Sequence, residues 1–330
     1  MTNDRIRWGI LGTATIARQM VMPGMQQAEG AVIQAVASRD ADKALELANM
    51  FEVPGVYGSY EALLEDPDID AVYIPLPNHL HRPWTIKAAQ AGKHVLCEKP
   101  LAITAAECDE MMEACEKNGV LLMEGFMYCL HPQVQILMEL LDKGIIGDVT
   151  MIRGSFSFPM EPGENIRLEA NFGGGSLMDV GCYPIHLANL VFRQAPERVQ
   201  ATVIWEGGVD LTAAGILHYS NDRLAIIDSS FAMWDRQEVE LVGNLGRIRL
   251  TRPWRADNFD TDVIVESAEG CETHKVASSN PYKLEIEHFQ DCMVDRRQPL
   301  PSPEKGKDVV RTIQALFEAA RSGRDVAMED

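Results

Sequence analysis

Lys99, in the segment Cys97-Glu98-Lys99-Pro100, and Asp179 and Tyr183, in Asp179-Val180-Gly181-Cys182-Tyr183, have the chemistry to move protons. An ammonium, a carboxylate and a phenol can each exchange a proton with a substrate oxygen once burial or a neighbouring charge tunes the pKa. Lys99 leaves an apolar strand, His94–Cys97, and Pro100 pushes it out of α geometry into an extended one. In a doubly wound sheet that exit opens on the crevice where ligands bind. Glu98 is then placed to orient the lysine or to hold a ligand hydroxyl. Taken alone, Lys99 reads equally well as a surface lysine at a strand exit.

The acid and the phenol follow Gly173-Gly174-Gly175-Ser176, a run that lets backbone approach something flat, such as a nicotinamide ring. If helix already covers 179–183, the i,i+4 spacing puts Asp179 and Tyr183 on one face, with His186 on roughly the same face. Pro184 complicates this, because proline is tolerated in a first turn but kinks a helix interior. His186 reads as a substrate contact or as a satisfied histidine facing the interdomain surface.

These groups need elements to carry them, and the chain opens with one. Gly9-Ile10-Leu11-Gly12-Thr13-Ala14-Thr15-Ile16-Ala17 follows a strand and begins a helix, a dinucleotide loop reduced to Gly12-x-Ala14-x-x-Ala17. Gly12, Thr13, Ala14, Thr15 and Ile16 are its candidate cofactor contacts, although the Ala14 methyl sits where backbone should approach a pyrophosphate. An ordinary tight βα turn is the plain alternative. The second strand ends in Ser38-Arg39-Asp40 rather than in the acid that holds a ribose 2′-hydroxyl. Ser38 can donate to a 2′-phosphate and Arg39 can pair with it, so NADP is expected over NAD. Arg39 can instead lie against adenine, and Asp40 reads as a helix N-cap. After the strand Ala71–Leu76, the residues Leu76, Pro77, Asn78 and His81 are expected to line the cofactor. Asn78 has a helix cap as its alternative role, and His79 and His81 lack a carboxylate to complete a metal set, so no metal is expected. A nicotinamide site beside proton-transfer groups is the equipment of a dehydrogenase.

Composition sets the frame. The 330 residues suit two domains, and 46% hydrophobic with 24% charged residues is ordinary for a soluble globular chain. No apolar run reaches membrane-spanning length, and the polar start lacks a signal-peptide core, which points to the cytoplasm. A net charge of −19 argues against nucleic acid or an anionic membrane as partner. The seven cysteines are scattered and read as thiols, with Cys97 and Cys182 as packing residues. Residues 1–124 alternate apolar strands with amphipathic helices, the pattern of a parallel doubly wound domain. Residues 125–330 carry successive strands with short turns, so the expected fold is α/β followed by α+β with a large, mostly antiparallel open sheet. The helix over 303–321 is a candidate to pack back on the first domain. One large sheet cannot cover both its faces, so a homodimer or homotetramer through the second domain is expected.

The chain resembles the Gfo/Idh/MocA family. The resemblance rests on WGILGTATIA, AVASRD, YIPLPNHLHRPWTIKAAQAGKHVLCEKPL, EGFMYCLHPQ, GDVTMIRGSFSF and GGGSLMDVGCYPIHLANL, and covers nearly the whole length. Within it the chain is most similar to the branch of glucose–fructose oxidoreductase, dihydrodiol dehydrogenase and D-xylose dehydrogenase, which has tyrosine at Tyr183. The resemblance implies hydride transfer with NAD(P), Lys99, Asp179 and Tyr183 as proton-transfer and substrate-orienting groups, and a cis bond before Pro100. Arg167 matches a position that reaches substrate or cofactor, and Cys129 stands where many relatives carry arginine. The leading expectation is an NADP-dependent sugar, polyol or keto-sugar oxidoreductase. A dihydrodiol-type dehydrogenase, an NAD-dependent glycosidase and a non-catalytic NADP-binding regulator remain open beside it.

Overall fold

A computed structural model describes residues 5–161, 163 and 165–328. The chain forms two compact units, Met1–Met127 with Asn280–Gly306, and Tyr128–Ser279 with Lys307–Asp330.

The first unit is built on six parallel strands: β1 Ile6–Leu11, β2 Ala31–Ala37, β3 Gly55–Tyr57, β4 Ala71–Ile74, β5 His94–Glu98 and β6 Leu122–Gly125. Their order is β3-β2-β1-β4-β5-β6. It reverses between β1 and β4, and the carboxyl ends of those two strands flank the crevice where doubly wound sheets take ligands. All four residues of β4 are buried, as expected of a strand covered on both faces. The helix Ala41–Phe51 starts at Asp40, whose side chain accepts from the Lys43 N–H, and the helix Ala105–Asn118 stops at Gly119 with φ 66°.

The expected single cut at 124/125 is corrected: the chain comes back to this unit at Asn280. The helix Pro281–Asp295 packs on β1, with Trp8 and Phe289 ring centroids 5.9 Å apart and Trp8 Nε1 donating to Gln290 Oε1 at 3.2 Å. A Cβ on Gly24 would come within 2.9 Å of Tyr282, so the glycine makes room for that helix.

The second unit carries nine strands: β7 Val149–Ser157, β8 Arg198–Glu206, β9 Val209–Tyr219, β10 Arg223–Ser230, β11 Arg236–Gly243, β12 Gly246–Leu250, β13 Thr261–Ser267, β14 Gly270–Val276 and β15 Val326–Ala327. The order is β14-β13-β12-β11-β7-β10-β9-β8-β15, antiparallel except where β7 runs beside β10. The helix Cys182–Phe192 buries nine of its eleven residues, the mark of an element enclosed all round. It lies so close over β7 that a Cβ on Gly154 would stand 2.6 Å from Pro184. Apart from its first turn, the helix Pro303–Ser322 belongs to the second unit, with Leu316 against Gly215 and the Phe317 and Trp205 ring centroids 5.5 Å apart. Among the described residues no helix is long and apolar enough to cross a membrane.

Candidate active site

In the first unit, Gly12 sits at φ +115°, a conformation that side chains avoid. Its N–H donates to Ala37 O at 2.8 Å, tying the loop to the end of β2. A Cβ there would stand 3.1 Å from Leu76 and 3.7 Å from the Tyr60 hydroxyl. Ala17 is fully buried, as its helix-packing role requires. The helix opens as a π turn, Ala17–Val21, ahead of Pro23. A proline has no N–H and crowds the carbonyl four residues back, and the wider turn relieves both.

Ser38 is buried, and its Oγ accepts from the Asp40 N–H at 3.1 Å. Arg39 is exposed and its guanidinium lies close to the Tyr60 phenol. Burial pushes that phenol up, and the Arg39 charge pulls the other way. Gly12, Tyr60, Arg39 and Ser38 are therefore gathered at the carboxyl ends of β1 and β2. Tyr60 is the member that sequence reasoning missed. Its place four residues after Val56, on a helix following the short β3, gives no motif to find.

The second gathering surrounds Lys99. The Lys99–Pro100 peptide is cis, as the family resemblance implies. His81 is fully buried, with Nδ1 2.9 Å from Pro100 O and Nε2 2.7 Å from Leu76 O. Both nitrogens face backbone carbonyls, so His81 braces the two loops to each other. Burial lowers its pKa, while the carbonyls pull upward. Asn78 opens a 3-10 turn behind Pro77. Tyr73 Oη donates to Glu98 Oε1 at 2.6 Å, and the Lys99 N–H reaches Glu98 Oε2 at 3.3 Å. Glu124, fully buried on β6, accepts from the Leu101 N–H at 2.7 Å. Burial pushes its carboxyl up to about 8; the Leu101 N–H works against this and the nearby Glu98 charge adds to it.

The second unit holds the remaining candidates. Arg167 Nε donates to Asp179 Oδ2 at 2.7 Å, with Asp179 mostly buried and Arg167 nearly half exposed. Asp179 lies in a π turn, Leu177–Gly181, and α-helix begins at Cys182. The i,i+4 stacking expected of Asp179 and Tyr183 is thereby changed, since a π turn closes five residues on. Pro184 supplies the same reason as Pro23. The glycine run also has a different cause from the one expected. A Cβ on Gly174 would fall 2.4 Å from Arg167 O, and one on Gly175 would fall 1.9 Å from Asp210 Oδ1. These glycines let the chain pass its own backbone and a buried carboxylate.

Tyr183 is enclosed by the rings of Tyr128, Phe156 and Trp254, at 5.6, 5.5 and 6.0 Å. His186 is buried with Nδ1 2.6 Å from the Tyr128 hydroxyl, and Cys129 Sγ lies 3.7 Å from the same nitrogen. His186 thus orients Tyr128, which packs on Tyr183. Cys97 and Cys182 are fully buried packing residues. Among the described residues no group of three or more His, Cys, Asp or Glu side chains is placed to hold a metal.

Two family models account for most of this chain. An oxidoreductase family with an NAD-binding Rossmann fold matches residues 6–126, and the Gfo/Idh/MocA C-terminal domain matches 134–249. An uncharacterized oxidoreductase of Rhizobium meliloti is 38% identical over 329 residues, covering 97% of this chain and 98% of the relative. The chain belongs to the Gfo/Idh/MocA oxidoreductase family. A D-xylose 1-dehydrogenase (NADP(+)) of Haloferax volcanii is likewise 38% identical, over 326 residues, 98% of this chain and 99% of its own. A 3-ketoreductase from Actinomadura kijaniata, solved with NADP and TDP-benzene, superposes with a TM-score of 0.89 at 31% identity, covering 95% of this chain and 97% of the other. In this Gfo/Idh/MocA chain the Gly12 turn, the helix start after it and the Arg39–Tyr60 pair fit a dinucleotide.

Proposed function

We propose that the protein is an NADP-dependent oxidoreductase that moves hydride between the nicotinamide and a carbinol or carbonyl carbon of a sugar, polyol or keto-sugar. The observation that carries the reading is Arg39 just past the end of β2, close to Tyr60 and Gly12, where an NAD site places an acid. The bound nicotinamide supplies the hydride chemistry. Lys99 and Tyr183 exchange the proton that the substrate oxygen loses or gains. Asp179, held by Arg167, orients a substrate hydroxyl. Glu98, with Tyr73 on one oxygen, fixes the start of the Lys99 turn. The aromatic rings around Tyr183 keep water from its flank. Leu76, Pro77 and Asn78 line the cofactor side, with Thr13, Ala14, Thr15 and Ile16 at the phosphates.

We further propose self-association through the exposed face of the second unit's sheet. Ile204 and Ile226 share that face and are exposed, at 59% and 37%, apolar groups that seek an apolar partner. Their neighbours Leu217, Tyr219, Ile227 and Phe231 are buried.

The test is a screen of aldoses, keto-sugars, diols and glycosides with NADP(H) and NAD(H), following nicotinamide absorbance and product. Cofactor-linked turnover of a sugar, faster with NADP(H), supports the reading. Turnover of diols alone assigns a dihydrodiol enzyme, and a glycoside cleaved without net change in cofactor assigns a glycosidase. Cofactor binding with no turnover at all assigns a regulator.

A further inference from the structure

Asp210 is a carboxylate with no role in the scheme above, yet it is 1% exposed and sits at the root of the helix that carries Asp179. It is the second residue of β9, and its Oδ2 accepts from Ser176 Oγ at 2.8 Å and from the Leu177 N–H at 2.7 Å. Ser176 Oγ is also 2.9 Å from Ser229 Oγ on β10. With Ser176 donating to the carboxylate, Ser229 donates to Ser176, so the three buried groups form one directional chain. Asp210 Oδ1 accepts no hydrogen bond and faces Gly175 at a distance that excludes any side chain there. The Gly175 N–H in turn donates to Arg167 O at 2.8 Å, and the Asp179 N–H donates to Gly175 O at 3.1 Å. One carboxylate therefore fixes the first turn of the 177–192 helix and the backbone of Arg167.

We infer that Asp210, with Ser176 and Ser229, is the positioning group that sets the Arg167–Asp179 pair for its work on the substrate. The inference rests on the reading of Asp179 as a substrate-side group. A helix start has N–H groups without partners inside the helix, and an acceptor from another strand can satisfy them. Because both bonds land on Oδ2, the amide of asparagine can reproduce them and alanine cannot. Misplacement of a reacting group by about 1 Å costs up to roughly 100-fold in rate.

The experiment compares Asp210→Ala, Asp210→Asn and Asp179→Ala, singly and as the 179/210 double alanine variant, on the full chain. Hydrogen exchange over 173–183 is followed without substrate, and kcat, KM and NADP(H) affinity are measured on the sugar that the screen yields. Expected are faster exchange and about 10- to 100-fold lower kcat in Asp210→Ala, with NADP(H) affinity unchanged. Asp210→Asn should retain both protection and most of kcat. In the Asp179→Ala background, Asp210→Ala should lower kcat no further. A folded Asp210→Ala with normal kcat overturns the inference, as does an equal loss in Asp210→Asn or a multiplicative loss in the double variant. If Asp179→Ala itself is harmless, the reading of Asp179 fails and this inference fails with it. If Asp179→Ala is damaging and Asp210→Ala is not, only the inference fails. Should Asp210→Ala not fold, Ser176→Ala removes one donor to the same oxygen and carries the same comparison.

Discussion

Replacing Glu124 by glutamine should make the first unit more stable, and more so as pH rises. The carboxyl is fully buried, one oxygen holds the Leu101 N–H, and the other has no partner and faces Gly306, where a Cβ would come within 2.1 Å. Burial raises its pKa from 4.5 to about 8. A raised acid pKa means that the folded state keeps a proton the unfolded chain has already released. The stability this group contributes is complete below pH 4.5 and is lost as pH climbs through about 8. At about 1.4 kcal/mol per pKa unit, the loss between pH 5 and pH 8 is roughly 3 kcal/mol. Glutamine keeps the acceptor for Leu101 and has no proton to lose, so the stability gap between variant and wild type should widen by roughly that amount over the same range. Urea unfolding at a series of pH values, followed by tryptophan fluorescence and by hydrogen exchange of β6, reads the gap; exchange isolates the first unit in a chain of two units. A gap that stays constant from pH 5 to pH 8 would show that Glu124 ionises as an ordinary carboxylate, and the argument from burial would be wrong.

Arg39→Ala should raise KM for NADP(H) roughly 10- to 100-fold, the loss of one charge-assisted pair worth about 1.5–3 kcal/mol, and leave NAD(H) nearly unchanged; equal effects would show that Arg39 reads adenine. Lys99→Met and Tyr183→Phe should each lower kcat by about 10²–10⁴-fold with cofactor affinity retained, and the double variant should lose little more. A near-normal kcat in either single variant would make that residue structural. Light scattering at micromolar concentration should report a dimer or tetramer, and Ile226→Glu should shift it toward monomer; a monomeric wild type would refute the sheet-face assembly.

The parts of this molecule that follow from short-range pattern were legible in its sequence. β1, the helix Ala41–Phe51 with its Asp40 cap, and the Gly119 stop are all set by neighbours within a few residues. β14 carries no such pattern, because it is exposed along most of its length and its Cys-Glu-Thr-His-Lys run has no apolar alternation to betray it. The candidate site divides along the same line. Lys99, Asp179 and Tyr183 stand out by type and by their proline and glycine surroundings. The groups that hold them, Glu124, Tyr73, His81 and Asp210, act across strands, and nothing local marks a glutamate on β6 as the partner of an N–H beyond Pro100. The glycine run shows how a correct signal acquires a wrong cause. Three glycines announce a close approach, but the sequence does not say to what; here the approach is to Arg167 O and to Asp210 Oδ1. A site built on long-range contacts is therefore read from sequence as a set of reacting groups, and only the fold shows which buried side chains keep them in place.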